Sequence, residues 1–435
     1  MISIIHEHYN GFNAKVPFDF EGKLTFEKDY FYQFTKKSRN EKVDCYRIFS
    51  DEVKETHAIA NSYFIGVDWI VESERAIYIE PKLNKDCTHQ TDYLKMLFSA
   101  LKHSDIAKHT EDLFEIRWDK PTIPITQEQD LLTPLLVVQF LRIVKEIVRK
   151  GLKKSYYKVE DNLYAKVKGK VLVSKTIKHN LVKNKPLHTY CSYDEFGLNG
   201  LENRLLKKAL VFVQRFLPSI KNLQTERYTS EIFNYINPAF EFVSAEVSLY
   251  DVKNTKTNVF YKEYEEAIKL AKLILKRFGY NISNTQEKTI HTPPFWIDMS
   301  NLFELYVLGL LKDTYGKEVL YGKKEAGLTY GLPDYLITKS DSKCIADAKY
   351  KPLYNSSGKY DIENIRQLSG YARDEKVFDK LDTKPTEIIN CLLIYPLPIS
   401  SNSSVEFKID IDKAEDLGTF VQFKKLGVPI PVIEK

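Results

Sequence analysis

Two apolar segments of the chain, Gly331-Leu-Pro-Asp334-Tyr-Leu-Ile337 and Cys344-Ile-Ala-Asp347-Ala-Lys349-Tyr350, each carry a carboxylate inside a strand-like run, with the polar turn Lys339-Ser-Asp-Ser-Lys343 between them. A carboxylate in such a strand is costly unless it is paired or binds a metal, so the pattern admits few folds. It predicts an antiparallel hairpin. With the turn centred near Asp341, Asp334 lies almost opposite Asp347. The period of two puts Asp347 and Lys349 on one face of their strand.

Two carboxylates and a lysine converging there suit divalent-metal chemistry. Hard oxygen ligands on rigid strands hold Mg²⁺ or Mn²⁺ while leaving positions for phosphate and water. Asp334, Asp347 and the Ala348 carbonyl are the candidate ligands. Glu304, the one acid in the apolar helix Leu302–Leu311, completes the shell if that helix packs across the hairpin. Lys349 orients the attacking water or neutralises developing charge. The tripeptide alone carries little, because Glu52-Val-Lys54, Asp251-Val-Lys253, Asp341-Ser-Lys343 and Asp382-Thr-Lys384 match it too. Asp347 differs in its apolar strand and in the carboxylate opposite. A buried Asp347–Lys349 pair without catalysis is the alternative. Downstream, Gln367 and Tyr371 share a face of the helix predicted over 361–376 through their i, i+4 spacing, which an ordinary amphipathic helix also gives.

A chain of 435 residues suggests two or three domains. The first hundred residues read as strands, with a hairpin formed by Tyr63–Val71, a turn over 72–75 and Ala76–Glu80. A helix follows near 91–102. Another starts at Thr133-Pro134 and stops at Gly151. Helices are also predicted over 201–210 and from Tyr264 to Phe278, the latter closed by Arg277 and Gly279. The polar stretch Ser283–Thr292 before Pro293-Pro294 marks a boundary, and an apolar strand is expected over Ile388–Tyr395. The expected architecture is α/β and α+β multidomain: a β-rich part over 1–112, a mostly helical, lysine-rich middle over 113–285 and a mixed α/β part over 286–435.

The formal net charge of +5 is mild, so any nucleic-acid surface must be local. Residues 150–185 hold eleven lysines and two acids, Glu160 and Asp161. This is either a solvated face or a phosphate track, in which Lys166, Lys168 and Lys170 contact DNA. No apolar run approaches the roughly 20 residues of a membrane span. The start, MISIIHEHYNGF, has no secretory pattern. Five scattered cysteines without CxxC spacing point to a reducing cytoplasm. His6 and His8 could chelate a metal from one strand face, though surface histidines read the same way.

In order, Glu304, Gly-x-x-Asp334, Asp347-x-Lys349 and Gln367-x-x-x-Tyr371 resemble the motif series of RecB-like PD-(D/E)xK nucleases. The rest of the chain resembles the McrC family, the nuclease subunit of McrBC-type, 5-methylcytosine-specific restriction systems. The resembling pieces are Tyr63–Val67 with Ile79-Glu-Pro81-Lys82, Gly151–Tyr156 with Val167-Lys-Gly169-Lys170, and Tyr193-Asp-Glu195 with Glu202-Asn203. The resemblance implies a Mg²⁺-dependent endonuclease with a restriction-endonuclease-like C-terminal domain, acting on double-stranded DNA. It also implies a partner, a McrB-like AAA+ GTPase hexamer. The N-terminal part docks on it and stimulates hydrolysis, with Gly66, Pro81 and Lys82 at the contact. The chain has no GxxxxGK[ST] loop and is not the motor. Two other readings stand: a stand-alone RecB-like repair nuclease, and a non-catalytic activator of an AAA+ ring.

Overall fold

A computed structural model describes residues 2–7, 16–18, 30–36, 41–51, 56–81, 90–101, 103, 106–110, 112–117, 119–126, 130, 132–216, 226–248, 251–252, 262–282, 289–322, 333–351, 360–397 and 407–433. The chain is a mixed α/β protein of two compact units. One is built from residues 1–125 and 292–435, the other from 126–291.

The first unit opens with β1 (Ile2–His6), β2 (Val16–Phe18), β3 (Tyr30–Lys36), β4 (Glu41–Asp51), β5 (Thr56–Asn61), β6 (Phe64–Val71) and β7 (Arg75–Glu80), followed by α1 (Tyr93–Leu101) and β8 (Phe114–Ile116). Strands β2 to β5 make one antiparallel sheet in the order β2-β5-β4-β3. The predicted hairpin is β6–β7, and seven of the eight residues of β6 are buried. A near-continuous apolar run of this kind is what a strand covered on both faces requires.

The second unit holds α2 (Leu132–Lys150), β9 (Ser155–Tyr164), β10 (Lys170–Val171), β11 (His188–Gly197), α3 (Leu201–Phe216), α4 (Glu226–Ile236) and α5 (Lys262–Ile282). Helix α2 packs on α5 and α4, and α3 packs on α5. Leu135, Val138, Leu141 and Ile147 form the buried stripe of α2, and Gly151 ends it at φ 93°. The predicted stop at Gly279 does not occur; α5 runs through it to Ile282. A glycine inside a helix costs about 1 kcal/mol and does not by itself break it. Strands β9 and β11 pair antiparallel over ten residues, and β10 lies on the far edge of β11.

The chain then returns to the first unit as β12 (Phe295–Asp298), α6 (Met299–Tyr315), β13 (Val319–Tyr321), β14 (Tyr335–Ile337), β15 (Cys344–Ala348), α7 (Ile362–Tyr371), α8 (Glu375–Leu381), β16 (Asn390–Leu397), β17 (Glu415–Asp416) and β18 (Phe423–Pro429). Strand β12 enters the N-terminal sheet between β6 and β8, giving the order β1-β7-β6-β12-β8. The sequence boundaries at 112 and 285 therefore separate stretches that share one sheet in the structure. Gly66 lies at this junction. Its φ is 151°, and a Cβ there would sit 2.0 Å from the Phe295 carbonyl oxygen. Only glycine permits that approach.

The second sheet of this unit runs β13-β14-β15-β16-β18-β17, antiparallel on the β13 side and parallel where β15, β16 and β18 pair. Helix α6 is apolar on nearly all sides and buried from Leu302 to Leu311. Asp298 caps it, accepting from the Asn301 amide at 2.9 Å. The single helix predicted over 361–376 is two. Helix α7 ends at Tyr371, and Asp374 caps α8 by accepting from the Lys376 amide. A good N-cap residue starts a new helix where continuation competes with capping. Among the described residues, no helix is long and apolar enough to cross a membrane.

Candidate active site

The hairpin is formed by β14 and β15, with Tyr335 opposite Ala346, Leu336 opposite Ile345 and Ile337 opposite Cys344. Continuing that register by one residue puts Asp334 opposite Asp347. The two are joined through the backbone: the Ala348 amide donates to Asp334 Oδ2 at 2.9 Å. Both carboxylates are buried. Gly331, two residues before Pro333, falls outside the described residues.

Lys349 and Asp347 form an ion pair on the shared face, as the period of two requires. The Lys349 ammonium also donates to Gln367 Oε1 at 3.2 Å, and Gln367 Nε2 donates to the Tyr371 hydroxyl at 2.7 Å. A chain of polar contacts thus runs from the strand carboxylate to α7. Burial pulls the Lys349 pKa down, but the charges of Asp347 and Asp334 and the hydrogen bond to Asp347 outweigh it, leaving the pKa above its ordinary value. Lys349 is therefore a fixed cation near neutral pH and not a proton acceptor.

Glu304 is held by two tyrosines of the sheet. Its helix does pack across the sheet: Tyr335 donates through its hydroxyl to the Glu304 main-chain carbonyl at 2.7 Å. The Glu304 carboxylate is engaged by a different group, accepting from the Tyr321 hydroxyl at 2.6 Å. Among the described residues, no three His, Cys, Asp or Glu side chains gather closely enough to hold an ion between them. The three-carboxylate shell expected from sequence is not assembled in this geometry. The donor set that remains is Asp334, Asp347 and the adjoining Ala348 carbonyl. It fits Mg²⁺, which is commonly held by one or two carboxylates and keeps several waters and substrate oxygens.

Sequence reasoning missed Tyr321 and Tyr335. It also missed Glu7, a buried carboxylate that acts on the buried hydroxyl of Tyr350, one residue past Lys349. Tyr335 adjoins Asp334 in sequence, a signal that was available. Nothing local marks Tyr321 or Glu7.

The other candidates are distributed. Gly66 is buried in β6 and Pro81 is buried just past β7, and Lys82 lies outside the described residues. The β6–β7 hairpin is flanked by β1 along Ala76–Glu80 and by β12 along Phe64–Val67. His6 faces Glu80 at 3.8 Å, and His8 lies outside the described residues.

In the second unit Lys166, Lys168 and Lys170 are exposed, but not equivalent. Lys168 pairs with Glu195 at 3.2 Å and stands 3.9 Å above the Tyr193 ring. Lys175 pairs with Glu160. Glu202 and Asn203 fasten the base of the β9–β11 hairpin. Glu202 pairs with Lys153 at 2.6 Å, while Asn203 donates to the carbonyls of Lys153 and Leu198 and accepts from Tyr264 at 2.7 Å. At the same end of the hairpin Tyr156 and Phe196 face each other with rings 5.1 Å apart, 75% and 60% exposed.

The family described as "McrBC 5-methylcytosine restriction system component" matches residues 64–396. No curated protein matches the chain. Among solved structures, similarity is found to a half-complex from the tetradecameric assembly of Thermococcus gammatolerans McrB AAA+ hexamers with bound McrC. It has 15% identity and a TM-score of 0.34, covering 86% of this chain and 78% of that one. The Thermococcus gammatolerans McrBC complex is similar at 17% identity and a TM-score of 0.28, covering 60% and 68%.

Proposed function

Because the chain belongs to the McrBC restriction-system family, we propose that it is the DNA-cleaving subunit of a two-component restriction system. It hydrolyses phosphodiester bonds of double-stranded DNA with Mg²⁺ or Mn²⁺ and works with a McrB-like AAA+ GTPase hexamer. On this reading the sheet β13 to β18 with α6 and α7 is a PD-(D/E)xK nuclease core, and Asp334, Asp347 and Lys349 are catalytic. The observation that carries it is the hairpin itself: two buried carboxylates in register, one paired to a lysine on its own strand face.

Asp334 and Asp347 would hold the metal together with the Ala348 carbonyl. A bound Mg²⁺ supplies charge stabilisation at the phosphate and lowers the pKa of the attacking water. Lys349, held cationic, orients that water and balances negative charge on the phosphate. Gln367 takes one Lys349 proton in a hydrogen bond, and Tyr371 fixes the Gln367 amide, so the ammonium is aimed by α7. Lys166 and Lys170 add phosphate contacts that give affinity without sequence readout.

A second reading of the partner contact is favoured by the exposed Tyr156–Phe196 pair. Large aromatic groups left exposed together mark protein contacts. The β9–β11 hairpin is then the docking surface, in place of the region over 1–112. The deciding experiment is DNA cleavage by the purified chain with and without a McrB-like GTPase, GTP and Mg²⁺. Cleavage that needs all of them supports the two-component reading. Cleavage by the chain alone favours a stand-alone nuclease, and none under any condition favours a non-catalytic activator.

A further inference from the structure

Asp334 is held from two sides by main-chain amides. Toward β15 its Oδ2 accepts from the Ala348 amide at 2.9 Å, and toward β13 its carbonyl accepts from the Gly322 amide at 2.8 Å. Gly322 follows Tyr321, whose partner across the strands is Tyr335, so it takes the ladder position opposite Asp334. The two backbones nearly touch there. A Cβ on Gly322 would sit 1.8 Å from the Pro333 carbonyl oxygen and 3.0 Å from its carbonyl carbon. Both obstacles are backbone, so no side-chain rotation relieves them, and the fixed φ of Pro333 removes one of the torsions that could. A side chain at 322 must therefore break the bond to Asp334 or displace the Pro333–Asp334 peptide.

We propose that Gly322 is a positioning residue for the metal site: by letting the end of β13 close on the Pro333–Asp334 peptide, it sets where the Asp334 carboxylate stands relative to Asp347. The proposal rests on the metal-site reading above. Mg²⁺ takes oxygen ligands at roughly 2.0–2.1 Å with a tolerance of about 0.2 Å. The displacement that a Cβ at 322 imposes exceeds that tolerance. The Ala348 amide still holds one carboxylate oxygen, but it cannot restore the main chain from which the side chain hangs. Gly322 contacts neither metal nor DNA in this scheme and acts only through Asp334. The site is then built by three adjacent strands, of which the outermost contributes a close approach and no side chain.

The test is Mn²⁺ binding to the full chain without DNA, measured by calorimetry, with thermal unfolding recorded on the same samples. Gly322→Ala should weaken Mn²⁺ binding by about tenfold, the usual loss when a group that orients a metal ligand is removed. Gly427→Ala is the control. It lies on β18 of the same sheet, and its Cβ would meet the Leu397 side chain at 2.4 Å. That variant should lower the unfolding temperature and leave Mn²⁺ affinity unchanged. If Gly322→Ala binds Mn²⁺ as the wild type does, or if both variants weaken binding equally, the proposal is overturned. If Gly322→Ala does not fold, amide exchange in the wild type decides. A bond that holds a metal ligand is held in turn by the metal. Mg²⁺ should therefore slow exchange of the Gly322 amide more than that of the Thr338 amide, which donates to the Glu318 carbonyl at the other end of the same strand pair. No slowing, or equal slowing of both amides, overturns the proposal. Asp347→Asn separates the levels. If it binds Mn²⁺ as wild type, or if wild type binds none, the metal-site reading fails and takes the proposal with it.

Discussion

The protein contains two antiparallel hairpins whose charges are handled in opposite ways. In β14–β15 every charged or polar group described has a defined partner: Asp334 the Ala348 amide, Asp347 the Lys349 ammonium, Lys349 also Gln367. In β9–β11 the lysines stand at the surface, some paired and some not, beside exposed aromatic rings. Burial makes the difference. In a low dielectric a charge needs a particular partner at a particular place, so single substitutions matter. In water one lysine can stand in for another, and exposed pairs are worth only about 0–1 kcal/mol. The first hairpin should therefore respond all-or-none and the second by degrees.

The comparison breaks most visibly at the short hairpin. Asp347→Ala or Lys349→Ala is expected to abolish DNA cleavage while leaving the chain folded and able to bind its partner. A well-folded variant that cleaves at the wild-type rate would remove the catalytic assignment. Chelation should have the same effect without mutation. Cleavage stops in EDTA and returns with Mg²⁺ or Mn²⁺, and full activity in EDTA would refute the metal mechanism.

At the long hairpin the expected losses are partial. Tyr156→Ser combined with Phe196→Ser should reduce stimulation of the partner GTPase severalfold without changing thermal unfolding, since both rings are largely in solvent. Undiminished GTP turnover would return the docking surface to the region over 1–112. The smallest effect belongs to the lysines. Lys166→Glu and Lys170→Glu should each lower the salt slope of DNA binding by about 0.9. Lys168→Glu should lower it less, because Glu195 already neutralises that ammonium. Equal slopes for all three, or no change in any, would make this stretch an ordinary solvated face.

What was legible in the sequence follows the same division. Alternation with period two placed Asp347 and Lys349 on one face, and the turn over 339–343 set the register opposite Asp334. The i, i+4 spacing joined Gln367 to Tyr371. These are local relations, fixed within a few residues by backbone geometry. Tyr321 reaches Glu304 from another strand, and no spacing rule connects them. The β12 strand, Phe-Trp-Ile-Asp, is four residues long. It is too short to declare a period, and its place beside β6 is set by Gly66 and by sheet order. The stop at Gly279 failed because a glycine only weakens a helix, and the tertiary contacts of α5 decide the matter.

The insertion of β12 between β6 and β8 also has a consequence for how the chain is made. Ile65 waits for Ile297, about 230 residues later, before its edge of the sheet is closed. At about 5–20 residues per second of synthesis, that interval lasts roughly ten to fifty seconds. Throughout it the β6 edge, one of the most apolar strands in the molecule, has no neighbour on that side. The unit over 126–291 leaves the ribosome in the meantime, and its contacts are all closer in sequence. Folding is then expected to finish in the middle of the chain before it finishes at the start. The β6 edge is the place where a nascent or truncated chain is most exposed to strand-pairing with another copy.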